Sequence, residues 1–175
     1  HLDFRRQRQM CIRDSANMGE LRLTMANENE EQKITLYQLH KTDEMVAFVN
    51  GPDGGWDNAA KKYPAWEAHL QLSFKGSENW KPEYFQYYRA VAEINTDSLE
   101  ESFAISNAYG GSHMDMVEKG LIEPLLPLIT LKNGWETINM HSMSIGDIVQ
   151  KDLEYWMCEP FGFAEISIED DSNDG

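Results

Sequence analysis

The sequence predicts an α+β fold, a small antiparallel sheet with two or three helices packed on one face. Three observations predict it. Short runs rich in β-branched and aromatic residues are bounded by Gly, Pro and Asp turns. Between them lie segments that carry helix caps and helix stops. In the last third, closely spaced turns separate one apolar segment from the next.

The elements follow in chain order. Residues 34–40 (ITLYQLH) read as a strand. Thr42 is placed as an N-cap, with Asp43 and Glu44 in the first turn and Met45, Val46 and Val49 on one apolar face. Asn50-Gly51-Pro52 ends that helix, and Asp53-Gly54-Gly55 extends a loop. Pro64 suits the first turn of a second helix, in which Trp66, Leu70 and Phe74 form a stripe and Gly76 is the stop. Residues 83–87 suggest one helical turn, and 88–94 a strand with Tyr88, Ala90, Ala92 and Ile94 on one face. Asp97 and Glu100 have capping-box spacing for a helix reaching about Asn107, with Leu99 and Phe103 facing the core. Residues 109–134 read as an insertion with one apolar patch, a helical turn at 115–119, and breaks at Pro124 and Pro127. Strands are then expected over 135–141, at Ile148 and Val149, over 154–158 and over 163–168, with turns at Gly146-Asp147, Lys151-Asp152 and 160–162.

The first residues stand apart. In one legitimate choice of codons, residues 5–15 (RRQRQMCIRDS) resemble the arm and transposon end of a tagmentation sequencing adapter, so 1–15 are read as translated adapter. The rival reading is a basic arm for nucleic acid or nuclear import. Met18 and Met25 are candidate starts, 16–32 a disordered lead-in, 33–168 a single domain and 169–175 an acidic disordered tail. Without residues 1–15 the chain has 28 acidic and 11 basic residues, a net of −17, and Cys158 is its one cysteine. A lone cysteine and no secretory or membrane-spanning apolar run point to the cytoplasm. Between Gln32 and Ile168, 20 acids face 10 bases. That balance opposes direct nucleic-acid binding and suits a protein partner with a basic surface.

Four segments in order carry a resemblance: YYRAVAEI, DSLEESFAISN, HSMSIGDIV and EYWMCEPFGFAEI. Their layout resembles the YodL-like family and related small tailed-phage and mobile-element proteins. The matching positions are His141, Ser142, Ser144, Ile145, Gly146, Asp147, Ile148, Val149, Tyr155, Gly162, Phe163 and Ile166. The likeness covers residues 84–107 and 138–168, and the front half loosely. Leu153 stands where the pattern has glycine after Asp152, and 108–134 is long for it. The resemblance implies association with a phage or mobile element, hence a host-cell cytoplasm, and carries no catalytic mechanism.

Candidate chemistry is sparse. His141, Ser142 and Asp147 are the residue types of a nucleophilic triad, but they are adjacent in sequence and no nucleophile elbow is present. Ser142, Ser144 and Asp147 are better placed to bond the backbone of a turn. His40, His69, His113 and His141 lack metal-ligand spacing, and no cofactor motif occurs, so no metal or cofactor is expected. Cys158, between acids, reads as a small core residue. Trp80 and Tyr84, beside Pro82, are candidates for an exposed aromatic patch. The binding candidates are therefore His141, Ser142, Ser144, Asp147, Tyr155, Phe163, Trp80 and Tyr84. The leading expectation is a non-enzymatic accessory protein that binds a host or phage protein. The alternatives are an acidic mimic of nucleic acid that inhibits a DNA-handling protein, and a small hydrolase or metal enzyme built on His141, Ser142 and Asp147.

Overall fold

A computed structural model describes residues 33–109 and 111–169. The adapter segment, the lead-in and the acidic tail beyond Glu169 lie outside the described residues. The strands are β1 (Lys33–Leu39), β2 (Tyr88–Asn95), β3 (Ile122–Pro124), β4 (Ile129–Thr130), β5 (Glu136–Thr137), β6 (Ile148–Lys151), β7 (Glu154–Cys158) and β8 (Phe163–Ile166). The helices are α1 (Asp43–Val49), α2 (Trp56–Lys62), α3 (Pro64–Lys75), α4 (Leu99–Ser106) and α5 (His113–Glu118), with 3₁₀ turns at Gly76–Asn79 and Pro82–Tyr87.

The α+β class and the antiparallel sheet are as predicted. Six strands run in the order β3-β2-β1-β6-β7-β8, every neighbour antiparallel, and β4 pairs with β5 as a separate ribbon. The expected helix count and placement need correction. Five α-helices are present among the described residues, and apolar residues cover both faces of the sheet. The reason is the period of the strands. Ile34 and Leu36 point to one side, Tyr37 and Leu39 to the other; Val149 and Trp156 share the first side, Ile148 and Met157 the second. The first core is closed by α4, α5 and residues 138–143; the second by α3 and the Pro82–Tyr87 turn. A strand apolar on both sides needs two covers.

Local signals explain most elements. Thr42 caps α1, its side chain accepting from the Met45 amide at 3.2 Å. Pro64 opens α3 and Gly76 closes it. Ser112 and Asp115 form a capping box on α5. At the β6–β7 turn Asp152 itself takes the left-handed conformation (φ +55°), so Leu153 is tolerated after it.

Several details depart from expectation. Ser98, not Asp97, caps α4, because its hydroxyl accepts from the Glu101 amide. The buried stripe of α3 is Ala65, Ala68 and Leu72 beside Trp66, which leaves Phe74 79 % exposed. Val46 and Phe103 are also exposed, since α1 buries no residue and α4 turns Ser102, Ile105 and Ser106 inward. In β2 a bulge opposite Leu36 and Tyr37 inserts Val91, so Val91 and Ala92 are both buried and the simple alternation breaks. Of the strand expected over 135–141 only Glu136–Thr137 pairs, because the chain then leaves the ribbon to bury Ile138.

Candidate functional site

A cleft of about 340 Å³ opens where β1 leaves the sheet and β2 and β6 enter it. Its floor is apolar, from Leu39 of β1 and Leu72 of α3. Its polar groups come from five places in the chain: Lys41 after β1, His69 and Ser73 on α3, Tyr88 at the start of β2, His141 and Ser144 in the loop before β6, and Asp147 at its end.

The loop is held by one buried side chain. Gln38, on the same side of β1 as Ile34 and Leu36, is 3 % exposed. Its amide nitrogen donates to the His141 carbonyl at 2.8 Å and to Asp147 Oδ2 at 3.0 Å. Its oxygen accepts from the His141 amide at 3.1 Å. Asp147 Oδ2 also accepts from the Ser144 amide at 3.0 Å, and the Asp147 amide donates back to the Ser144 carbonyl at 3.0 Å. Gly146 sits inside that turn at φ +95°, a conformation a side chain resists. Its carbonyl accepts from the Tyr88 hydroxyl at 2.5 Å.

Burial shapes the charges. Asp147 is 6 % exposed, and desolvation lifts its carboxyl from 3.8 to about 6, opposed by His141 and by its hydrogen bonds. Burial lowers the Lys41 ammonium, and the Asp147 carboxylate partly restores it. His69 is pushed down to about 4 by burial, then by Lys41 and His141, so its ring is neutral at pH 7. That ring lies 5.2 Å from both Trp56 and Trp66, centroid to centroid. Burial, then the Asp147 carboxylate, holds the Tyr88 hydroxyl well above its ordinary range. Several displaced ionisations facing one cavity mark a candidate site.

No family model, curated protein or solved structure matches this chain. Geometry alone therefore assigns roles to the sequence candidates. His141, Ser144 and Asp147 line the cleft. Ser142 turns away, its hydroxyl 3.4 Å from His113 Nε2, whose shorter contact is the Ser106 carbonyl at 2.6 Å. A triad would need Ser142 against the His141 ring. That ring instead places Nδ1 2.8 Å from the Ser142 carbonyl and 3.9 Å from Asp147 Oδ2. Among the described residues no three His, Cys, Asp or Glu side chains are grouped to hold a metal.

Tyr155, Trp80 and Tyr84 belong to the second core, and Phe163 packs on the first. Tyr84 is buried and Trp80 donates its indole N–H to the Ser167 carbonyl at 2.7 Å. The pair is thus part of the core wall and not the exposed patch the sequence suggested, because the 3₁₀ turn folds it onto the sheet. Cys158 is buried, and burial with Asp147 and Glu159 raises its thiol to about 12. Sequence reasoning missed Gln38, Lys41, Tyr88 and the inclusion of His69. A polar Gln in the inward register of Ile34 and Leu36 was the available signal for the first.

The exposed apolar residues gather elsewhere. Leu125, Leu128, Ile129, Leu131 and Trp135 lie on or beside the β4–β5 ribbon. Its feet are fixed in the first core by Leu126 and Ile138. At its tip the Leu131 amide donates to the Trp135 carbonyl at 2.7 Å, the Gly134 amide to the Leu131 carbonyl at 2.9 Å, and the Trp135 amide to Asn133 Oδ1 at 3.0 Å. Gly134 supplies the positive φ (+86°) the turn requires.

Asp147→Asn tests the buried carboxyl. The folded pKa lies above the unfolded one, so the folded protein holds the proton more tightly and ionisation costs stability. The cost is absent below about pH 4, grows to about pH 6 and is complete above it, roughly 2–3 kcal/mol for two units. Asn keeps an oxygen to accept from Gln38 and Ser144. The stability gap between variant and wild type should therefore shift toward the variant by about 2–3 kcal/mol from pH 4 to pH 7 in urea melts. A gap independent of pH would show that Asp147 titrates normally.

Proposed function

We propose that this domain is a non-enzymatic accessory protein of a phage or mobile element that works in the host cytoplasm by binding a protein partner. One observation carries the reading: Trp135 is 73 % exposed on a hydrogen-bonded turn, with Ile129 and Leu131 exposed beside it. Contiguous exposed apolar side chains mark interaction surfaces. A tryptophan on a preformed turn binds without first ordering the chain, which suits an interface anchor. The resemblance of HSMSIGDIV and EYWMCEPFGFAEI to YodL-like proteins supports the phage association. No helix among the described residues is long and apolar enough to cross a membrane. The excess of 20 acids over 10 bases in residues 33–167 favours a partner with a basic rim.

The two alternatives gain less. The hydrolase reading needs a Ser142–His141 contact that the loop turns away. The mimic reading needs carboxylates free along one face. Yet Asp147 is buried, Asp115 caps α5, Glu159 accepts from the Ser77 amide at 3.0 Å, and Glu93 and Glu123 flank Lys33 at 3.5 and 3.1 Å.

Trp135→Ala is the test, with Phe161→Ala as control, because Phe161 is 97 % exposed in a different turn. Each tagged protein is used to capture partners from host lysate in high salt. The expected result is one protein held by wild type and by Phe161→Ala and lost with Trp135→Ala, a weakening of about 2 kcal/mol or more. The melting temperature should not move. Equal capture by all three, or none by any, overturns the reading.

A further inference from the structure

Two opposite charges face the cleft without meeting. Lys41 makes no hydrogen bond or ion pair within 4.0 Å to a described residue, and its ammonium lies 5.6 Å from the Trp66 ring centroid. Asp147 feels Lys41 only as a distant charge, the weakest of the influences on it. A half-buried ammonium and a buried carboxylate each lose hydration, and neither recovers it in the other. The same cleft is lined by the neutral His69, by Ser144 and by the apolar Leu39, Leu72 and Ile145. The groups around Asp147 are His141, Lys41, Tyr88 and Cys158, and His141 bonds the Ser142 carbonyl instead of neutralising it at hydrogen-bond distance.

We infer that the cleft is a binding site for a small zwitterion with a short apolar body, its carboxylate set toward Lys41 and its ammonium toward Asp147. A simple anion would gain Lys41 and meet repulsion from Asp147; a simple cation would do the reverse. A molecule carrying both charges satisfies both, and its apolar part covers Leu39, Leu72 and Ile145. A volume of about 340 Å³ lies at the small end of ligand cavities. His69, uncharged at neutral pH, offers a ring nitrogen to the same carboxylate or to the ammonium without adding charge. The site does not use the ribbon, so this inference and the partner-binding reading stand or fall separately.

Calorimetric titration of the full chain at pH 7 decides it with three probes of one carbon skeleton: leucine, 4-methylpentanoate, which lacks the amine, and 3-methylbutylamine, which lacks the carboxylate. Leucine is expected to bind, and each singly charged analogue to bind about tenfold or more weakly, the loss of one charged hydrogen bond. Lys41→Met should reduce leucine affinity by a similar factor, about tenfold, yet leave 3-methylbutylamine unchanged or tighter. That second arm separates a lost contact from a misfolded cleft. If leucine does not bind at millimolar concentration, if either analogue equals it, or if Lys41→Met weakens all three alike, the inference fails.

Discussion

Gln38→Leu is expected to lower folding stability by about 3–4 kcal/mol. Leucine fits the space of the side chain and suits a β-strand flanked by Leu36 and Leu39. Shape is therefore not what is lost. What is lost is one amide that serves three groups at once: the His141 N–H, the His141 carbonyl and the Asp147 carboxylate. His141 is exposed, so water can replace part of its share. Asp147 is not, and it keeps one hydrogen bond, from the Ser144 amide, with the His141 ring 3.9 Å away. Removing one partner of a buried charge is costly because the charge stays behind. Urea denaturation with an unchanged m-value measures the loss. A cost below about 1 kcal/mol would mean that the 139–147 loop is held by its apolar residues, Met140 and Met143, without the clamp.

Leu72→Ala should cost about 2–3 kcal/mol, toward the low end for deletion of a buried leucine. Leu72 is 1 % exposed and packs with Leu39, Ile148 and Met157. Its Cβ lies 3.4 Å from where a Cβ on Gly146 would stand, so helix and turn are in close contact there. In a sealed core the void would add its full penalty. Here the void adjoins the cleft and can fill with solvent, which limits the cost to the lost apolar burial. Thermal and urea melts give the number. A loss above about 4 kcal/mol would indicate that α3 detaches from the sheet as a unit.

The parts of this fold that were legible in the sequence are those fixed by neighbours along the chain. Thr42 and the stop at Asn50-Gly51 bound α1, Pro64 and Gly76 bound α3, and Lys151-Asp152 with Gly162 set the β6–β7–β8 meander. Helix α2 was missed because WDNAAKK is short and polar and follows two glycines. The second covered face was missed because Leu36 and Tyr37 follow one another in β1, as do Trp156 and Met157 in β7 and Ile148 and Val149 in β6, so neighbouring apolar residues point to opposite sides and give no inside and outside. The cleft was half legible. His141, Ser144 and Asp147 lie close together and drew attention as a motif. Lys41, His69 and Tyr88 reach the same space from other elements, and no spacing along the chain records a convergence made by tertiary packing.

The register between β1 and β6 joins Tyr37 to Ile148, across most of the domain, whereas β6, β7 and β8 pair through turns of a few residues. Contacts of such unequal sequence separation form at unequal speed, since closing a long loop loses more chain entropy than closing a hairpin. The C-terminal meander is the part of the sheet built from local pairings, and β1 joins it to β2 and β3 through distant ones. Leu39 ends that strand and Lys41 follows it, and both line the cleft together with Gly146 and Asp147 just before β6. The cleft accordingly depends on that distant pairing: a chain that has made its hairpins without it has secondary structure and no site.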